Sequence, residues 1–236
     1  MGSVRRDIRR VHPLDRPIWT ALTTRQAEFA RGGRQALAFR ADVEPFAASA
    51  TQDEPDLNAL ASLALPGDFL LLIQTAPSPP LPGLELTTEA VGVQMVSTRA
   101  VEGPRPEEAV PLGDADAAEM IALAEITRPG PFRAATHKLG QFWGIRRAGR
   151  LVAMAGERLK VPGMTEVSGV CTHPDWQGHG FARQLSAFVA GLIRQRGETP
   201  FLHAYASNAP AIRLYQQLGF TIRCEMAVQA FALAER

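Results

Sequence analysis

Apolar positions along this chain follow two periods, and the places where one gives way to the other mark the elements. Leu185, Phe188, Val189, Leu192 and Ile193 fall at i, i+3, i+4, i+7 and i+8, one face of a helix that Gly197 stops. Ahead of that helix, Glu166 to Thr172 reads as a strand with the short apolar run Val167 to Cys171 inside it. Earlier, the pattern predicts a helix from Leu14 to Ala30, a strand at Ala36 to Arg40, a helix from Pro55 to Leu63, and strands at Phe69 to Gln74 and Val91 to Ser97. Thr75 to Pro82, with prolines at 77, 79, 80 and 82, is a loop. The polar, proline-bearing run from Glu102 to Glu108 is a candidate boundary, dividing residues 1–104 from 105–236. Beyond it come a strand at Ala109 to Leu112, a helix from Ala115 to Ala124, and two antiparallel strands, Gln141 to Arg146 and Arg150 to Glu157, joined at Ala148-Gly149. A strand at Phe201 to Ala206, a helix from Ala209 to Leu218 and strands after Gly219 complete a mixed α/β sheet.

The segment from Thr172 to Arg183 turns a strand into an amphipathic helix through Gly178 and Gly180, which is the build of an anion cradle. The first turn of a helix has N–H groups without internal partners and the positive end of the macrodipole, so it takes a phosphate without a cationic side chain. Two familiar phosphate loops are excluded. Arg183 stands where a dinucleotide fingerprint needs its third glycine, and no Gly-Lys-Ser or Gly-Lys-Thr occurs.

What remains, Gln177-x-x-Gly180-x-Ala182, resembles the Gln/Arg-x-x-Gly-x-Gly/Ala signature of the GNAT superfamily of N-acetyltransferases. The likeness continues through Glu166-Val-Ser-Gly-Val-Cys-Thr-His-Pro before the loop and Asn208-Ala-Pro-Ala-Ile-Arg-Leu-Tyr215-Gln-Gln-Leu-Gly-Phe220 after it, and spans residues 107 to 228. It implies the GNAT acyl-CoA N-acyltransferase fold, preceded by an N-terminal α/β region. That region has two readings: a degenerate second GNAT-like half, or an extension closing over the acceptor pocket. The resemblance also implies acetyl-CoA as co-substrate, with Gln177, Gly178, His179, Gly180, Phe181 and Ala182 around its pyrophosphate and the pantetheine arm beside Val170 and Thr172. It places Asn208 against CoA and Tyr215 beside the sulfur, where a phenol protonates the departing thiolate; the other reading of Tyr215 is a packed aromatic. A main-chain N–H near Val170 would then face the thioester oxygen.

Glu166 is the candidate general base. Strand alternation puts Glu166, Ser168, Val170 and Thr172 on one face, with Glu166 roughly 13 Å from Val170, within reach of an intervening amine or water. Its alternative is a carboxylate paired with arginine. The resemblance also implies that Gly130 to Phe132, Thr136-His137 and Phe142-Trp143 border the acceptor pocket, where Arg128 and Arg133 would suit a carboxylate; the other reading of both is a solvated surface arginine. Cys171, His173, His179 and His203 lack zinc-type spacing, so no metal is expected.

Composition narrows the partners. The 25 Lys and Arg against 24 Asp and Glu give no basic face for nucleic acid or anionic lipid. Lysine stands only at 138 and 160, an arginine bias that fits a bacterium with GC-rich DNA. Two cysteines, no signal-peptide core after Met1 to Arg10 and a hydrophobic Leu57 to Thr75 broken by Pro66 and Asp68 indicate a cytoplasmic protein. The expected function is acetyl transfer from acetyl-CoA to a primary amine in a ternary complex. The second hypothesis is a catalytically inactive CoA-binding regulatory or scaffold module. The acceptor, small molecule or peptide, is left open, as is the choice between monomer and homodimer.

Overall fold

The structure is a computed structural model that describes residues 12–99 and 103–234. Met1 to Arg10, read above as followed by no signal-peptide core, and Glu102 at the head of the expected boundary lie outside the described residues. The helices are α1 (Pro17–Thr23), α2 (Glu54–Ala61), α3 (Ala117–Thr127), α4 (Phe181–Gln195) and α5 (Ala209–Gln217). The first strands are β1 (Ala30–Gly32), β2 (Ala36–Phe39), β3 (Ala47–Ser49), β4 (Phe69–Gln74) and β5 (Leu84–Ser97). After them come β6 (Ala109–Leu112), β7 (Phe142–Arg147), β8 (Arg150–Val161), β9 (Met164–Thr172), β10 (Thr199–Tyr205) and β11 (Phe220–Leu233).

Among the described residues β1-β2-β3 form a small sheet, and the main sheet runs β4-β11-β5-β10-β9-β8-β7-β6. Its neighbours are antiparallel except β9 and β10. β4 and β5 precede the expected boundary, yet both lie inside the main sheet, β5 between β10 and β11. The chain before residue 104 therefore completes the same sheet as the chain after it.

Local chemistry accounts for the elements. Ala148 and Gly149 take φ of 47° and 79°, the pair of positive angles that a two-residue hairpin turn requires, and they join β7 to β8. Leu185, Val189, Ala190 and Ile193 of α4 are sealed against the sheet, each large side chain contributing about 1.5–3 kcal/mol. At the far end of α4, Gly197 takes φ +78° and donates its N–H to the Arg194 carbonyl at 2.8 Å.

β8 runs on to Val161 rather than ending at Glu157, β1 and β3 had no expected counterpart, and two further differences have a clear local cause. The helix expected from Leu14 to Ala30 is broken: a 3-10 turn at Pro13–Asp15, α1, a 3-10 turn at Ala27–Phe29, then β1. Pro17 lacks an N–H and restarts the helix at its first position, while Thr24 leaves the helical region at φ −131°, ψ −99°. β5 begins at Leu84 rather than Val91; its exposed first half buries little side chain and is held by its ladder to β11, from Leu84↔Leu233 onward.

Alternation along β8 sorts the two faces. Ala153 and Ala155 pack in the cluster with α4, whereas Met154 packs with α3, Phe142 and Cys171. α1 contributes Ile18 and Leu22 to a third cluster that includes Phe46, Leu159, Phe201, Met226 and Val228. Among the described residues no helix is long and apolar enough to cross a membrane.

Candidate active site

The site is built on an irregularity of β9. Ser168 pairs with Gly156 and Cys171 with Met154, so β9 carries one residue more than β8 over this span. Gly169 sits in that bulge at φ +62°, where a Cβ would lie 2.8 Å from the Phe142 ring. Cross-strand partners share a face, so Ser168 and Cys171 point to one side and Thr172, opposite Ala153, to the other. The alternation expected to put Glu166, Ser168, Val170 and Thr172 on one face therefore fails at Gly169: Glu166 and Ser168 lie on one side, while Val170 packs with the α4 cluster on the other.

On its other edge β9 pairs with β10 only from Met164↔Thr199 to Glu166↔Phe201, and then the two parallel strands part. The opening between them is a pocket whose wall includes Val170, His203, Ala204, Asn208 and Tyr215. Because the pocket runs through a gap in the sheet, it has two sides. Val170, Ala204, Ala211 and Tyr215 belong to the cluster containing α4; Phe46, Leu71, Ile73, Met226 and Val228 belong to the cluster containing α1.

The Gln177–Ala182 segment lies where the cradle was expected, exposed from Gln177 to Gly180. Gly178 and Gly180 have φ +81° and +78°, with no atom within 4 Å of a Cβ at the first and only Gln184 Nε2 at 3.6 Å from one at the second, so backbone conformation rather than space requires glycine. Gly180 is the N-cap of the long helix α4 and offers no side-chain acceptor. Gln184 N–H donates to Gly180 O at 3.0 Å, while the N–H groups of Phe181, Ala182 and Arg183 find no partner among the described residues. Uncapped donors at the positive end of a helix fit the pyrophosphate of CoA. His179 does not face outward freely: its Nδ1 lies 3.1 Å from the carbonyls of Trp176 and Gln177, and its ring stacks on Phe181 at 5.6 Å.

Tyr215 is 8% exposed, lines the pocket and meets Phe220 edge-on at 6.1 Å. Burial pushes its phenol above the ordinary range, so it holds its proton at neutral pH, and its hydroxyl has no hydrogen bond among the described residues. Asn208 also lines the pocket, but as the N-cap of α5, its Oδ1 accepting from Ala211 N–H at 3.2 Å.

Glu166 is buried in a polar network across three strands. Arg158 donates to it from Nε at 3.0 Å and Nη2 at 3.1 Å, the Leu159 N–H donates at 3.2 Å, and His203 Nδ1 lies 2.8 Å from its Oε1. Burial alone would raise this carboxyl, but Arg158 and His203 hold it down at about 2. The arginine-paired alternative for Glu166 thus describes its surroundings, and a carboxylate so strongly held has little tendency to take up a proton. Gln94 fixes the imidazole tautomer. Its Oε1 accepts from Arg223 at 2.9 Å, so its amide donates to His203 Nε2 at 3.0 Å and leaves the ring proton on Nδ1, toward Glu166. Near Arg158, Glu44 is sealed with neither oxygen hydrogen-bonded, and burial pushes its carboxyl up to about 8.

Of the acceptor residues expected from sequence, Arg128, Gly130 and Pro131 line the pocket. Arg133 does not: it pairs with Asp68, donates to Ala41 O at 2.7 Å and lies over Phe69. Thr136 and His137 are buried in a 3-10 turn, Phe142 is core beneath α3, and Trp143 packs on Phe188. Cys171 is buried, and that burial pushes its thiol up to about 11, which leaves little thiolate at neutral pH. Arg158, Gln94 and the place of His203 beside Glu166 were missed; Arg158, in the charged run Glu157-Arg158-Leu159-Lys160 near the end of β8, was the one local signal.

Comparisons with known proteins agree with this geometry. The FR47-like protein family matches residues 142–228. A protein of Novosphingobium aromaticivorans assigned as an acetyltransferase of the GNAT family superposes with a TM-score of 0.89 at 40% identity, covering 95% of this chain and 100% of its own. A GCN5-related N-acetyltransferase from Kribbella flavida shares the fold at a TM-score of 0.63 and 18% identity, over 96% of this chain and 98% of its own. Mycothiol acetyltransferase of Thermomonospora curvata is 37% identical over 76 residues, 32% of this chain, so the match spans only 26% of that relative's length. The uncapped cradle and the bulged β9 parting from β10 lie in a chain 40% identical to the Novosphingobium protein over 95% of its length, and that relative decides the point: the chain belongs to the GNAT family of acetyltransferases.

Proposed function

We propose that this chain transfers an acetyl group from acetyl-CoA to a primary amine by direct attack in a ternary complex. The observation that carries the reading is the two-sided opening between β9 and β10, with the uncapped α4 N-terminus and Tyr215 on one side and an apolar, arginine-bearing pocket on the other. It lets a thioester and an amine approach the same gap from opposite faces of the sheet, which supplies the proximity that acyl transfer needs.

In this reading the N–H groups at the start of α4 hold the pyrophosphate, and the free edge of β9 from Val170 to Thr172 takes the pantetheine amides as an added strand. The main-chain N–H near Val170 polarises the thioester carbonyl, and Asn208 both caps α5 and borders the arm. As the amine nitrogen bonds to the carbonyl carbon and the carbon–sulfur bond breaks, Tyr215 delivers its proton to the thiolate, and the proton lost by the amine nitrogen passes through water to restore the phenol. Glu166 acts as a positioning group that holds Arg158 and His203 against the pocket. Residues 1–104 complete the acceptor side, since Phe46, Leu71 and Ile73 form part of its wall.

Calorimetric titration with acetyl-CoA, followed by thiol release across a panel of amines, tests this. Binding with amine-dependent release supports transfer; binding without release from any amine supports the inactive CoA-binding module instead.

A further inference from the structure

We propose that the acceptor is a primary amine carrying a carboxylate on an apolar body, an apolar α-amino acid or close analogue, with the carboxylate held by Arg158 and Arg128. The inference rests on the acetyltransferase reading and names the substrate class of that same site.

Charge sets the first constraint. The pocket wall contains Arg128 and Arg158 and no aspartate or glutamate. A polyamine or aminoglycoside would bring further cations to this wall, whereas a carboxylate finds the unpaired charge of Arg128 and the donor of Arg158 that Glu166 leaves free. The CoA phosphates do not account for these arginines, because none of residues 177–182 lines this pocket.

Arg158 is built to present one donor group. It is 8% exposed; its Nε and Nη2 are committed to Glu166, while Nη1 has no hydrogen-bond partner among the described residues and is not sealed off. A Cβ placed on Gly130, itself in the pocket wall, would come 3.8 Å from Nη1, so this donor opens toward the cavity beside Gly130. Its charge is cancelled once, by Glu166, and not twice, since burial keeps the nearby Glu44 largely protonated at neutral pH.

Arg128 stands exposed as the C-cap of α3 at φ 49°, a left-handed position that favours glycine. Its side chain has no ion pair or hydrogen bond among the described residues, and it lines the pocket. An arginine in that conformation gains nothing for the fold that glycine would not give. The rest of the acceptor side is apolar, formed by Phe46, Leu71, Ile73, Met226 and Val228, which suits a hydrocarbon side chain.

The test uses full-length protein saturated with CoA and titrated calorimetrically with N-acetyl-L-leucine, N-acetyl-L-leucinamide and N-acetylisopentylamine, the matched products with and without the carboxylate. The acid should bind at least about tenfold more tightly than either neutral analogue, the discrimination that charge-assisted hydrogen bonds give. Arg128→Gly, which relaxes the backbone and needs no refolding of the core, should keep its thermal stability and CoA affinity while losing about fivefold or more in affinity for the acid alone. Equal binding of acid and amide, an unchanged acid affinity in Arg128→Gly, or no binding of any product by protein that does bind CoA would overturn the assignment. Failure to bind CoA at all would instead remove the acetyltransferase reading, and this assignment with it.

Discussion

Gly180→Ala offers a quantitative test of the cradle because the same helix contains its own control. Gly180 and Gly197 flank α4, both at φ +78°, and neither has backbone against an added Cβ: Gly180 would meet Gln184 Nε2 at 3.6 Å and Gly197 nothing within 4 Å. Steric clash is therefore absent at both, and alanine costs at each the same left-handed strain of about 1–2 kcal/mol. Both variants should lose roughly 2–8 °C in Tm. Only Gly180→Ala changes ligand binding, because relief of its strain turns the N–H groups of Phe181 to Arg183 away from a common point. A loss of 1–2 kcal/mol there corresponds to about a 5- to 30-fold rise in the Kd for CoA. Differential scanning calorimetry and isothermal titration on the two variants side by side give both quantities. Equal CoA affinities in Gly180→Ala and Gly197→Ala, or a wild-type Kd in the former, would refute the cradle.

Three further outcomes follow from the buried groups. Tyr215→Phe should lower kcat by about 100-fold with little change in the Kd for acetyl-CoA, as loss of a general acid does; near wild-type turnover in a stopped thiol-release assay would remove that role. Glu166→Gln leaves Arg158 buried without its counter-ion and should destabilise the fold by about 3–5 kcal/mol in urea titration; a stability loss below about 1 kcal/mol would show that the network is dispensable. In the wild type, Glu166 is depressed to about 2, so its contribution is full above the ordinary carboxylate range near 4.5 and fades as pH falls from there toward 2. Glu44 has the opposite sign: its folded value near 8 exceeds the unfolded one, so stability falls as pH rises from about 4.5 to 8. Glu44→Gln should flatten that decline and raise stability at pH 8 by about 1 kcal/mol or more; an unchanged pH profile would contradict it.

The parts of the site that one stretch of chain builds by itself were legible in the sequence. The two glycines and apolar stripe that define the cradle and α4 are local, and so is the Ala148-Gly149 hairpin. Face assignment along β9 was not, because a single glycine at φ +62° inserts a residue and reverses every side chain beyond it; hydrophobicity does not register such a bulge. Glu166 consequently faces Arg158 and His203 rather than sharing Val170's side. Those partners come from β8 and β10 and reach Glu166 only through sheet pairing. The same holds for β5, whose place between β10 and β11 depends on backbone ladders across more than a hundred residues of sequence. Arg128 and Arg133 look equivalent in sequence, and only the position of Asp68 separates the pocket residue from the structural one.

The most direct measurement is isothermal titration of the purified chain with acetyl-CoA, read together with amine-dependent thiol release in the same sample. Saturable one-site binding, weakened in Gly180→Ala and accompanied by release with an amino-acid acceptor, is the predicted result. No acetyl-CoA binding, or binding indifferent to Gly180, would contradict the assignment of the α4 N-terminus and the β9–β10 opening as an acetyltransferase site.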